Sequence, residues 1–561
     1  MSEEHAAEVE KAGQAGREGR AAAIIGVLGA GTMGAGIAQL ACRSGAQTLL
    51  YDPIPAALQS GVEKVQAGLQ KEAARGRLSA EEAGAAAERL TFVTELSTLA
   101  DCELVIEAVP ERLELKHELY RQLSEIVSAE CVLASNTSSL LVTAIAAAAT
   151  HPERVVGMHF FNPAPVMKLL EVVAGEQSSP AALALADATG AAMGKSVIRA
   201  HDGPGFLVNR CNRPFGLEAL RLLGERISDV ETIDRICRME GGFRMGPFEL
   251  MDLVGVETGF EISKSFFAQS FGEPRWRPSP IAARYVAAGL YGRKTGRGYY
   301  TYAEDGSYRP EDPPPLPVSG EAEGVVVIAG ENAIAEQLRA AAKAAGYEVR
   351  SPFEPSGGVL PALAIDCEAA PAARVDDELK SPSASEHATG TGGARLLLCA
   401  RGSLSTLDPG GSAVGFHAMA PWADGALVEL TRTETSSPLA ATRAERFFEA
   451  LGKHVVWVGD APGLVLGRIV CQVINESAFA LGEGIGEARD IDLGMVLGLS
   501  HPHGPFEWAD AIGLEHVLGV LEALCREYRE ERYRPAPALR GLVAAGRLGR
   551  EAGAGFFEYE S

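Results

Sequence analysis

The stretch GVLGAGTMGAGIAQLACRSGAQTLLYD, Gly26 to Asp52, decides how the front of this chain folds. The apolar run IIGVL, beginning at Ile24, reads as a buried strand, and TMGAGIAQLAC reads as a helix that opens directly after it. Gly29, Gly31 and Gly34 stand between them in GxGxxG spacing. In that order, strand, turn and helix leave unpaired amides at the helix mouth, and small residues let a pyrophosphate approach the backbone. Gly29, Ala30, Gly31, Thr32, Met33 and Gly34 are therefore the expected phosphate cradle. The second strand, TLLYD, ends in Asp52, at the interval where a carboxylate accepts from a ribose 2′-hydroxyl. Such a carboxylate repels a 2′-phosphate, and no Arg follows it in YDPIP, so NAD is expected rather than NADP.

Outward from this stretch, short β-rich runs (LVIEAV, CVLASN, VVGMHFF, LLEVVAG) alternate with Ala-rich helical segments. The pattern predicts an α/β fold: a Rossmann-type, doubly wound, mainly parallel sheet over residues 21–200. A helical hairpin is expected between Leu58 and Arg89, broken near Gly76, with Ser79 and Glu82 forming a capping box. From 201 to 310 the pattern is all-helical, and the Pro-rich EDPPPLPVSG marks a linker over 311–323.

The rest repeats what came before. DGPGFLVNR at 202 returns as DAPGLVLGR at 460, and GPFELMD at 246 returns as GPFEWAD at 504, a constant offset of 258 residues. Residues 460–561 are thus expected to be a second copy of the all-helical domain. Between the copies, VGFHAMAPWADGALVEL aligns with VGMHFFNPAPVMKLLEV, so 324–459 reads as a degenerate α/β domain, with loops at 351–358 and 369–393. Its turn AGENAIA lacks the glycine spacing and a following acid, so no nucleotide is expected there.

Bulk properties narrow the function. The chain has 561 residues and a formal net charge of −23, which disfavours binding to nucleic acid or an anionic membrane surface. Its nine cysteines form no CxxC pair and read as reduced core thiols. Residues 1–20 are charged, lack the apolar core of a signal peptide and are expected to be a flexible tail. No apolar run is long enough to span a bilayer, so a cytoplasmic enzyme is expected. HPHGPF at 501 corresponds to FRMGPF in the first copy, which has no His, so no metal is expected.

The chemistry is expected in GMHFFNPAPVMKLLEVV, where His159 and Glu171 lie in successive strand runs 12 residues apart across a Pro-marked turn. If the runs pair, the carboxylate fixes the imidazole tautomer and makes it a general base for an alcohol proton. Ser138, in SNTSSL after the run CVLA, and Asn209, in PGFLVNR, are candidates to bind a substrate oxygen.

Together, GAGTMGAGIA, EAVPERLELK, ASNTSSL, GMHFFNPAPVMKLLEVV and DGPGFLVNR resemble the 3-hydroxyacyl-CoA dehydrogenase family, continuously over 24–302 and again in the second helical copy. The resemblance implies oxidation of an L-3-hydroxyacyl-CoA to the 3-oxoacyl-CoA, with His159 as base, Glu171 as its partner, and Ser138 and Asn209 orienting the substrate. It also implies that Glu111, Lys116, Asn162 and Lys294 lie near the dinucleotide. Arg75 falls where the family places a basic residue for the CoA phosphates, and the long hairpin that carries it and Lys71 speaks for a CoA substrate. The doubled layout is similar to long bacterial members acting on 3-hydroxybutyryl-CoA or 3-hydroxyadipyl-CoA in phenylacetate breakdown. Because the family's helical domain forms its dimer contact, the two copies are expected to make an intramolecular pseudo-dimer. Asn209 becomes Gly467 in the second half, while His417 and Glu429 keep the 12-residue spacing and are expected to be an inherited structural pair. Two other readings are a non-catalytic nucleotide-binding relative and a dehydrogenase of a free hydroxy acid.

Overall fold

The computed structural model describes residues 19–352, 360–371, 393–422 and 425–559. All but the last two residues of the expected tail lie outside this description, as do most of the loops expected at 351–358 and 369–393. The chain divides into two compact units, residues 1–210 with 483–500 and residues 211–482 with 501–561. A short segment of the second helical repeat thus belongs to the front unit.

The front unit is built on eight strands: β1 (Ile24–Leu28), β2 (Gln47–Tyr51), β3 (Leu90–Val93), β4 (Leu104–Glu107), β5 (Val132–Ser135), β6 (Val155–Phe160), β7 (Leu169–Ala174) and β8 (Ser196–His201). They lie in the order β3-β2-β1-β4-β5-β6-β7-β8. Neighbours pair in parallel, except that β7 runs antiparallel to β6. The order reverses between β1 and β4, which opens a crevice at the strand ends where such sheets bind ligands. β4, β5 and β6 are buried along their whole length, as the helices on both faces require. β3 and β8 are too short or too mixed to stand out in the sequence.

The helical hairpin is present as Pro55–Ala74 and Ala80–Glu88. Both bonds of the capping box form: Glu82 N–H donates to Ser79 Oγ at 3.1 Å, and Ser79 N–H donates to Glu82 Oε2 at 2.7 Å. Buried Glu72 ties the hairpin to the helix Thr32–Arg43 by accepting from Gln39 and Arg43, each at 3.0 Å.

The second unit carries a seven-stranded sheet: β9 (Val325–Ala329), β10 (Glu348–Arg350), β11 (Leu363–Asp366), β12 (Arg395–Leu398), β13 (Val414–His417), β14 (Leu427–Thr431) and β15 (His454–Val458). Its order, β10-β9-β11-β12-β13-β14-β15, repeats that of the first sheet, with no counterpart of β3 among the described residues, and β14 is again the antiparallel strand. In the same unit the helix Arg213–Gly224 of the first helical repeat packs on Leu466–Gly482 of the second. Buried Arg468 joins them, bonding Glu218 at 2.6 Å, Glu225 at 2.6 and 2.9 Å, and the hydroxyls of Tyr528 and Tyr533. Arg275–Glu476 at 2.8 Å and Arg534–Glu273 at 3.1 Å add further links between the repeats. None of the nine cysteines forms a disulfide, and all but Cys525 are buried. No helix among the described residues is long and apolar enough to cross a membrane.

Candidate active site

The turn after β1 has the shape its glycines imply. Gly29 takes φ +94°, and a Cβ there would meet Ala108 O at 2.8 Å. A Cβ on Gly34 would fall 1.7 Å from Gly29 O, whereas one on Gly31 would meet nothing within 4 Å. Gly34 therefore closes the helix onto the turn, and Gly31 leaves open room above it. The helix Thr32–Arg43 has no side-chain cap and no acid in its first turn, so no side chain competes for its leading amides. This cradle fits a dinucleotide pyrophosphate. Asp52, directly after β2, accepts from Ala30 N–H and Ile54 N–H, each at 2.9 Å, and so stands beside the cradle.

Glu111 and Lys116 lie beyond β4, but neither is isolated. Lys116 is buried and donates to Glu107 at 2.7 and 2.8 Å, with Glu111 at 3.2 Å. Ser135 Oγ donates to the same Glu107 carboxylate at 2.7 Å. Glu111 in turn accepts from Thr137 Oγ1 at 2.5 Å and from the amides of Ser138 and Ser139 at 3.1 Å. Burial would raise its pKa, but the Lys116 ammonium and the Thr137 hydroxyl hold its carboxyl below the usual range. Glu111 thereby fixes the loop that carries exposed Ser138. Glu107, Ser135 and Thr137 were not singled out from the sequence; the one hint was an acid closing the otherwise apolar run LVIE.

His159 and Glu171 face each other in the antiparallel register of β6 and β7. His159 Nδ1 lies 2.6 Å from Glu171 Oε2, and both side chains are buried. The other carboxylate oxygen, Oε1, accepts from Leu207 N–H at 3.1 Å and Val208 N–H at 3.0 Å. One carboxylate thus orients the imidazole and also pins the segment leading into Asn209, on the short helix Val208–Cys211. Phe161 and Phe206 flank the imidazole, with ring centroids 4.7 and 5.8 Å away. His159, Glu171, Ser138, Asn209 and the cradle all belong to the front unit.

The remaining candidates are placed as follows. Asn162 is exposed just past β6, and Lys71 and Arg75 are exposed at the end of the first hairpin helix. Lys294 belongs to the second unit, where it pairs with Glu257. His501 Nε2 donates to Asn212 Oδ1 at 3.0 Å, and no group of residues suited to a metal occurs among the described residues.

The second unit repeats the register but not the chemistry. His417 and Glu429 stand opposite each other in β13 and β14, yet they are not bonded. The pair expected there is not made, for a geometric reason. Glu429 spends both oxygens on the amides of Val465 and Leu466, each at 2.8 Å. His417 lies against His516, Nε2 to Nε2 at 3.1 Å, and its buried Nδ1 has no partner. A Cβ on Gly467, the counterpart of Asn209, would fall 2.1 Å from His417 Cε1. The imidazole therefore fills the space that an asparagine there would need. Burial pushes Glu429 up to about 8 and His417 well below the usual histidine range. At the turn after β9, the Asn332 side chain caps its helix by accepting from Ala335 N–H at 3.0 Å, occupying the position where a phosphate would bind.

Comparison with known proteins identifies the family. The model of the 3-hydroxyacyl-CoA dehydrogenase NAD binding domain matches residues 24–203, and that of the C-terminal domain matches twice, at 205–302 and 463–559. The chain is 35% identical over 516 residues to the 3-hydroxyadipyl-CoA dehydrogenase of Escherichia coli K12, covering 92% of this chain and 96% of that protein. The 3-hydroxybutyryl-CoA dehydrogenase of Mycobacterium tuberculosis H37Rv is 39% identical over 280 residues, covering 50% of this chain and 98% of that one. A crystal structure of 3-hydroxybutyryl-CoA dehydrogenase from E. coli K12 superposes with a TM-score of 0.76 at 33% identity, covering 94% of this chain and all of the other. The chain belongs to the 3-hydroxyacyl-CoA dehydrogenase family and is an NAD-dependent oxidoreductase.

Proposed function

We propose that the chain oxidises the 3-hydroxyl of an L-3-hydroxyacyl-CoA thioester, short-chain or dicarboxylic, such as 3-hydroxybutyryl-CoA or 3-hydroxyadipyl-CoA. The observation that carries this reading is the His159–Glu171 bond of 2.6 Å, set in the same unit as the dinucleotide cradle. NAD supplies, when bound, the acceptor for the hydride that leaves C3. With Nδ1 committed to Glu171, His159 Nε2 is the nitrogen left to take the hydroxyl proton, and the buried carboxylate stabilises the resulting imidazolium. Ser138 and Asn209 hydrogen-bond substrate oxygens and fix the carbon relative to the imidazole. Lys71 and Arg75 meet the CoA phosphates, Asn162 approaches the dinucleotide, and Asp52 selects NAD by its charge. The two helical repeats form an intramolecular pseudo-dimer.

The test follows NADH absorbance with both thioesters. His159→Gln is expected to lower kcat by roughly 10²- to 10⁴-fold; wild-type activity in that variant, or no turnover of any 3-hydroxyacyl-CoA by the native chain, refutes the reading. Arg75→Ala is expected to raise KM for the CoA ester, and an unchanged KM removes that residue from the phosphate site.

A further inference from the structure

The front unit contains a piece of the second helical repeat, residues 483–500, and that piece is fastened to the segment that carries Asn209. Arg210, next to Asn209, is buried and bonds Glu483 at 2.6 Å. His201 N–H donates to Ile485 O at 2.7 Å, and Arg199 N–H donates to Asp490 Oδ2 at 2.9 Å. The helix Ala488–Leu499 then lies against β7, β8 and the Asn209 segment. Three glycines permit this approach. A Cβ on Gly486 would stand 2.8 Å from Leu207, one on Gly494 2.8 Å from Val208, and one on Gly498 2.8 Å from Leu169 and 3.3 Å from Phe161, the ring beside His159.

At the offset of 258 residues, the first repeat has Ser228, Ile236 and Glu240 in place of these glycines. The ion pair and the strand-end bond are duplicated, as Arg468–Glu225 at 2.6 Å and Gly459 N–H to Ile227 O at 2.7 Å in the second unit, but there they border the His417 side, where the asparagine is gone. The glycine-lined contact is thus peculiar to the half that holds the complete site.

We infer that Glu483 of the second helical repeat is a positioning residue for thioester oxidation, acting through Arg210 to hold Asn209 in register with the Glu171-bound backbone of Leu207 and Val208. Glu171 pins this short segment at one end and Glu483 at the other, so that Asn209 has little freedom between them. The inference rests on the reading of Asn209 as a substrate-binding group. Losing the Glu483 anchor should misplace Asn209 by a fraction of an ångström to an ångström and weaken acyl-CoA turnover, without disturbing the cradle.

The experiment compares Glu483→Gln, Glu483→Asp and Glu225→Gln in the full chain. Glu225→Gln removes the equivalent carboxylate in the second unit and serves as the internal control. Acyl-CoA kinetics, NADH affinity by fluorescence titration and thermal melting are recorded for each. Glu483→Gln is expected to lose roughly ten- to a hundredfold in kcat/KM for the CoA ester with NADH affinity unchanged. Glu483→Asp should recover most of that loss, and Glu225→Gln should lower the melting temperature while leaving the kinetics as in wild type. Equal kinetics in Glu483→Gln and Glu225→Gln, or a loss in Glu483→Gln shared in step by NADH affinity, overturns the inference. Inactive His159→Gln alongside fully active Glu483→Gln discards this inference alone; active His159→Gln discards the proposed function itself.

Discussion

Two histidines in equivalent strand positions end in different chemical states because of what stands at the matched position in the segment that follows. At His159 the neighbouring segment carries Asn209, and the imidazole turns onto Glu171. At His417 the counterpart is Gly467, and the ring has moved into the vacated space. Gly467→Asn is therefore expected to overpack the second unit and lower stability by about 1–3 kcal/mol, read by thermal or urea melting. The displaced pair also sets a pH dependence. Glu429 is pushed up to about 8 from an ordinary 4.5 by burial, so the folded chain holds that proton where the unfolded chain has released it. Stability from this group is full below the unfolded pKa and is lost as pH rises towards 8. His516, pushed down to about 4, and His501, pushed down to about 3, act with the opposite sign but only below their unfolded value of 6.5. Asp234, pushed up to about 7 by burial, adds to the same downward slope. Between pH 6.5 and 8, Glu429→Gln should flatten the fall in stability expected of the native chain; an unaltered slope contradicts the assignment.

Among the elements, the hairpin Pro55–Ala74 and Ala80–Glu88 shows how a short signal specifies a local shape. The Ser79 and Glu82 bonds satisfy amides at the start of the second helix that would otherwise lack partners. Ser79→Ala is expected to cost about 1 kcal/mol, measured by urea unfolding, and Ser79→Thr should retain most of the bond. The antiparallel step from β6 to β7 is the other decisive element. It converts a 12-residue spacing into a face-to-face pair, His159 opposite Glu171, through register alone.

For the whole molecule, the buried Arg468 cluster joins the two helical repeats in the second unit. Glu218 is fully buried, yet the Arg468 and Arg221 guanidinium groups hold its carboxyl down to about 2. The contribution of this group is present above its unfolded pKa and is lost as pH falls from 4.5 towards 2. Arg468→Met leaves Glu218 and Glu225 without their shared cation and is expected to cost about 3–5 kcal/mol in urea unfolding, with NADH affinity of the folded chain unchanged. A loss below 1 kcal/mol would mean that the two repeats are held together by apolar packing rather than by this cluster.

The cradle at Gly29–Gly34, the acid at Asp52, the His159–Glu171 spacing and the duplication were all legible in the amino-acid order. The first three depend on residues close in the chain, where turn geometry and strand period dictate position from composition, and the duplication shows as a repeated order of motifs. Glu107, Lys116 and Thr137 were only partly legible, since a buried acid at a strand end does not name the cation or hydroxyl that will satisfy it. Tertiary packing alone decided that Glu111 carries the Ser138 loop, that His417 abandons Glu429, and that residues 483–500 join the front unit. Those outcomes depend on side-chain volume and on partners far apart in the chain, such as Arg199 and Asp490, 291 residues apart, and no periodicity in the sequence encodes which distant surfaces fit.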